Sequence, residues 1–105
     1  MTDELNRQVI VTAYELNQQV IATAYELGMR YAEYENAKTA FADAEKDMNA
    51  HPSSFAFANK QDVEIKFNEA KFAYGQARAA HKLAIEKVRD AEEEAEADRH
   101  ALRFG

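Results

Sequence analysis

Apolar residues return every third or fourth position along most of this 105-residue chain, and the rhythm breaks once. Ala13, Leu16, Val20, Ala24, Leu27, Tyr31, Tyr34, Phe41 and Met48 follow such steps, with Lys38 and Glu45 filling two expected places. Steps of three and four keep side chains on one face of an α-helix, so the spacing predicts a helix over residues 3–48. Residues 49–58 (NAHPSSFAFA) form the break. Pro52 disfavours helical geometry at His51, and Ser53 and Ser54 suit a turn. Asn59 is a candidate N-cap with Asp62 in the first turn behind it, which predicts a second helix over residues 59–100. There Val63, Phe67, Ala70, Tyr74, Ala77, His81, Ala84, Val88, Ala91, Ala95 and Leu102 keep a regular heptad, with Asp98 completing the series.

A short break between two long helices favours an antiparallel hairpin. The expected fold is all-α: one domain over residues 1–105, a long antiparallel two-helix hairpin with coiled-coil-like packing. Counting outward from the turn sets Phe41 near Phe67, Tyr34 near Tyr74, Leu27 near His81 and Val20 near Val88.

The first helix carries an internal repeat. Residues 6–16 read NRQVIVTAYEL and residues 17–27 read NQQVIATAYEL, differing only at Arg7 against Gln18 and Val11 against Ala22. Eleven residues are about three helical turns, so the duplication lengthens a helix with little rotation of its faces. The spacing predicts a change from an eleven-residue to a seven-residue period near Gly28. Val9-Ile10-Val11-Thr12 has β propensity, but no glycine or proline turn separates the copies, and the helical reading holds. A second stripe of Ile10, Tyr14, Ile21 and Tyr25 lies beside the first. Together they make an apolar face wider than one neighbouring helix covers.

Composition narrows the function. The chain has one proline, three glycines and no cysteine, which removes disulfides and thiolate metal sites. Much of its hydrophobic 47% is alanine, so an isolated hairpin has a thin core. A polar, acidic N-terminus gives no sign of a signal peptide, and no run has the length of a membrane span, so the expected location is cytoplasmic, without membrane attachment. The net charge of −6 argues against nucleic acid as a ligand. Charge is uneven, with acids prevailing over residues 1–48 and bases over 60–89. Lys60, Lys66, Lys71, Arg78, Lys82, Lys87 and Arg89 are expected to pair within their helix and across the hairpin. Asp90, Glu92, Glu93, Glu94, Glu96 and Asp98 make an acidic surface run, either a solvated helix end or a docking surface.

Catalytic chemistry lacks its parts. Ser53 and Ser54 have His51 nearby but no acid to orient it. His51, His81 and His100 are far apart, no Glu-x-x-His pair occurs, and Glu96 with His100 supplies only two ligands. No enzyme, cofactor or metal is expected. His81 falls on the helix–helix seam, where it would set register or hydrogen-bond Tyr31, or respond to pH. Phe55 and Phe57 would plug the turn end or anchor a partner.

The expectation is a non-enzymatic protein–protein interaction module, a homo-oligomer that buries helix faces. Ile10, Tyr14, Ile21, Tyr25, Phe55 and Phe57 are the candidate self-association or partner-binding residues. Small size, acidity and a fresh duplication suit an accessory or inhibitory protein of a virus or mobile element. Two alternatives are a structural subunit of a virion or other large assembly, and an oligomer that traps a small ligand between subunits.

Overall fold

The computed structural model describes the backbone of residues 2–104 and the side chains of residues 12–102. Two helices, α1 (Thr2–Ala50) and α2 (Ser54–Phe104), form an antiparallel hairpin, as the spacing predicts. The connection is shorter than expected. The His51 amide donates to the Asp47 carbonyl at 2.8 Å, closing α1. Ser53 then caps α2: its Oγ accepts from the Ala56 amide and its carbonyl from the Phe57 amide, each at 3.0 Å. Serine caps as well as asparagine, and Pro52 just before it needs no amide partner. The cap is therefore Ser53 rather than Asn59, and Phe55 and Phe57 belong to the first turn of α2.

The chain divides into two compact units, Glu26–Arg78 around the turn and Met1–Tyr25 with Ala79–Gly105. In the turn unit, Leu27, Arg30, Tyr34, Ala37, Phe41, Ala44 and Met48 of α1 are buried or half-buried. So are Ala56, Lys60, Val63, Phe67, Ala70, Tyr74 and Ala77 of α2. Large side chains on one layer alternate with small ones on the next. The large layers are aromatic. Phe41 stacks on Phe67 (centroids 5.6 Å, planes 2° apart), Phe67 on Tyr34 (5.6 Å, 25°) and Tyr34 on Tyr74 (5.4 Å, 12°). Tyr31 tilts against Tyr74 at 5.6 Å, and the Arg78 guanidinium lies 5.8 Å from the Tyr74 ring centre. The anticipated Phe41–Phe67 and Tyr34–Tyr74 pairs are thus rungs of one ladder that alternates between the helices. Offset stacked rings attract beyond the area they bury. Half-buried Ala37 and Ala70 lie between the rungs, and buried Ala44, Ala56 and Ala77 lie beyond them; their small size lets the backbones approach.

The terminal unit has a leaner seam, with Leu16, Val20 and Thr23 on α1 and His81, Ala84, Val88, Ala91 and Ala95 on α2. The α2 heptad matches the expected one as far as Ala95. Asp98 and Leu102, expected to continue it, are exposed.

The α1 seam differs from expectation at every second position. Thr23, Arg30, Ala37 and Ala44 occupy the places assigned to Ala24, Tyr31, Lys38 and Glu45. The heptad runs unbroken from Leu16 to Met48, and the change of period at Gly28 does not occur. Eleven residues equal one heptad plus four, which carries seam residue Leu16 to seam residue Leu27 and exposed Thr12 to half-buried Thr23.

Candidate functional site

Polar residues stand inside the seam in both units. In the terminal unit, Thr23 Oγ1 lies 3.0 Å from His81 Nδ1, 2.7 Å from the Gln19 carbonyl and 3.1 Å from the Val20 carbonyl. A hydroxyl has one proton. With that proton on the shortest contact, His81 Nδ1–H donates to Thr23. The histidine partner is thus Thr23 in place of Tyr31, which packs on Tyr74. In the turn unit, Arg30 runs out of the seam to Glu26 Oε1 at 2.8 Å and Glu33 Oε2 at 3.0 Å. Hydrogen bonds to Glu33 and then Glu26, with the charge of both carboxylates, raise the Arg30 pKa above its ordinary value. Its stem can occupy an apolar seam while its head stays in water.

These groups bind each other, Thr23 with His81 and Arg30 with Glu26 and Glu33. Among the described residues no three His, Asp or Glu side chains converge on a metal-sized point. An open cleft of about 460 Å³ lies in the terminal unit, with Leu16, Val88, Ala91 and Ala95 as its floor and Glu92 and Asp98 at its edge.

The outward face of α1 is different. Tyr14, Ile21 and Tyr25 are 64%, 61% and 72% exposed. At 100° per residue they point about 130–170° away from the seam, so packing within the hairpin cannot cover them. Ile10 falls outside the described side chains. At the turn, Phe55 is 83% exposed and Phe57 about half exposed, while Ala56 between them is buried. The residue that closes the turn end is therefore the alanine, and Phe55 plugs nothing.

Asp90, Glu92, Glu93, Glu94, Glu96 and Asp98 are all exposed. Their spacing of two, one, one, two and two spreads them around α2 instead of along one stripe. Ion pairs among the described residues stay within one helix: Arg30 with Glu26 and Glu33, and Lys66 with Asp62 at 3.4 Å. Of the basic residues of α2 expected to pair, Lys66 does so within its own helix. No helix among the described residues is long and apolar enough to cross a membrane.

Sequence reasoning missed the back of α2. Ile65 and Phe72 are one heptad apart, directly opposite the seam, and both exposed. An i, i+7 search on the polar side of the helix would have found them. Comparison with models of protein families, with curated proteins and with solved structures finds no match.

Proposed function

We propose that this protein is a non-catalytic interaction module that self-associates by burying the outward face of α1. The observation that carries this is the exposed row Tyr14, Ile21 and Tyr25, opposite a seam that is already occupied. Isolated apolar side chains on a surface are ordinary; a row of three large ones along one face is a contact surface. Tyrosine suits such a place, because its ring is apolar and its hydroxyl tolerates water. The repeat supports the reading. Duplicating NRQVIVTAYEL gave α1 a second Ile–Tyr pair one repeat on, which extends a contact face without asking for a new fold.

The test is Ile21→Asp combined with Tyr25→Asp. The change removes two of the three exposed anchors and should lower the molecular mass in solution while the far-ultraviolet helical signal persists. An unchanged mass would remove the assignment of this face.

A further inference from the structure

We infer that the outward face of α1 takes a second copy of this chain running antiparallel to it, about a two-fold axis between Asn17 and Gln18, with Tyr14 of each copy on Ile21 of the other. The inference rests on the reading of that face as a self-association surface. It fixes the direction and register of the contact, and it can fail while that reading stands.

The row lies within the terminal unit. Tyr14, Ile21 and Tyr25 are exposed and fall within about 40° of one another round the helix. Asn17 and Gln18, also exposed, flank the middle of the row, about 40–60° to either side. Glu15 is the only charged residue from 14 to 25, and it stands about 100° round from Tyr14. The face therefore carries no charge that would repel its own copy or hold a charged partner.

The repeat sets the direction. Its Ile–Tyr pairs occupy positions 10, 14, 21 and 25. This set is unchanged by reversal about the point between 17 and 18, except that isoleucine and tyrosine exchange places. An antiparallel copy thus sets 14 against 21 and 10 against 25, one isoleucine and one tyrosine at every level. Large then meets smaller throughout, and the spacing of the helices stays even. A parallel copy in the same register alternates Tyr–Tyr and Ile–Ile levels, wide and narrow in turn. A parallel copy moved by one repeat engages only one Ile–Tyr pair of each chain.

The difference between the two copies of the repeat points the same way. The first has Arg7 where the second has Gln18, and this is the one difference that changes charge. Position 18 adjoins the inferred axis. Beside a two-fold axis that crosses an antiparallel pair, a residue meets its own counterpart on the same side of the contact. In a parallel pair the two counterparts lie on opposite sides. An arginine at position 18 would face an arginine in the antiparallel pair, whereas glutamine amides both donate and accept hydrogen bonds.

The chain has no cysteine, so an introduced thiol is the only one present. Tyr14→Cys and Ile21→Cys are oxidised separately and as an equal mixture, with helical content measured in each. The mixed disulfide should exceed either self-disulfide by about ten-fold, because in the antiparallel pair each position lies about 10 Å along the helix from its own counterpart. Self-disulfides with little mixed product mean a parallel pair and overturn the inference, while the face itself stands. A second measurement spares the anchors. Gln18→Arg and Gln18→Glu should each raise the dissociation constant about three-fold at low salt, the effect of two like charges about 6 Å apart in water. Their equal mixture should return to the parent's value or below. Parent-like association in both variants alone overturns the register. A parent of 11.9 kDa at every concentration overturns the register and the face together.

Discussion

Phe67 and Phe72 offer a matched pair of the same residue type, five positions apart on one helix. Phe67 is half-buried between Phe41 and Tyr34, with a ring 5.6 Å from each. Truncating a fully buried phenylalanine costs about 3–5 kcal/mol. A half-buried ring forfeits about half of that, roughly 2 kcal/mol. The two lost stacking contacts add about 0.5–1.5 kcal/mol each. Phe67→Ala should therefore cost about 3–4 kcal/mol. At about 4–8 °C per kcal/mol for a domain of this size, the melting temperature falls by about 15 °C or more. Phe72 has no ring partner among the described residues and is mostly exposed. Phe72→Ala should cost the fold itself under about 1 kcal/mol. The assay is urea and thermal unfolding followed by far-ultraviolet circular dichroism, repeated at several protein concentrations. The Phe67 loss should be the same at each concentration, and any larger loss at Phe72 should grow with concentration, because it reports association. Equal, concentration-independent losses at both positions would refute the assignment of one ring to the seam and the other to the outer surface.

Three further changes test local steps of the fold. Gly28 and Gly75 lie within helices, neither has positive φ, and a Cβ added at either meets nothing within 4 Å. Gly28→Ala and Gly75→Ala should each stabilise the chain by about 0.5–1 kcal/mol, read by thermal unfolding. Ser53→Ala removes the α2 cap and should cost about 1 kcal/mol in urea unfolding, whereas Asn59→Ala, inside the helix, should cost little. Thr23→Val keeps the side chain's shape and removes the hydroxyl at His81. It should cost about 1 kcal/mol and shift the His81 Nδ1 resonance in nitrogen NMR; an unmoved resonance would show that the two groups do not meet.

The fold was legible wherever size and spacing agreed. On α2 the seam residues from Val63 to Ala95 are apolar or aromatic almost throughout, apart from His81, and they follow the expected heptad. On α1 the two cues part. The larger Tyr31 sits one position past the seam, while Arg30, Ala37 and Ala44 fill it; Ala37, between the rungs at Tyr34 and Phe41, is small enough to fit there. Thr23 was hidden by the repeat. Its counterpart Thr12 is exposed, and the eleven-residue shift rotates the second threonine into the seam beside His81. Sequence pointed to Asn59 as the cap and read Ser53 as a turn residue. The choice went to Ser53 because FAFAN is free to continue the helix back to the proline. The α1 face was legible because the duplication advertised it. Ile65 and Phe72 were not, since once Phe67 and Tyr74 had explained α2, nothing local marked its far side.

The central claim is that this hairpin does not work alone. Sedimentation of the unmodified chain over a wide concentration range tests it most directly. The account predicts a mass above 11.9 kDa that falls only on dilution. A constant mass of 11.9 kDa up to the highest concentration would contradict it, leaving the outward face of α1 without a second copy to cover it.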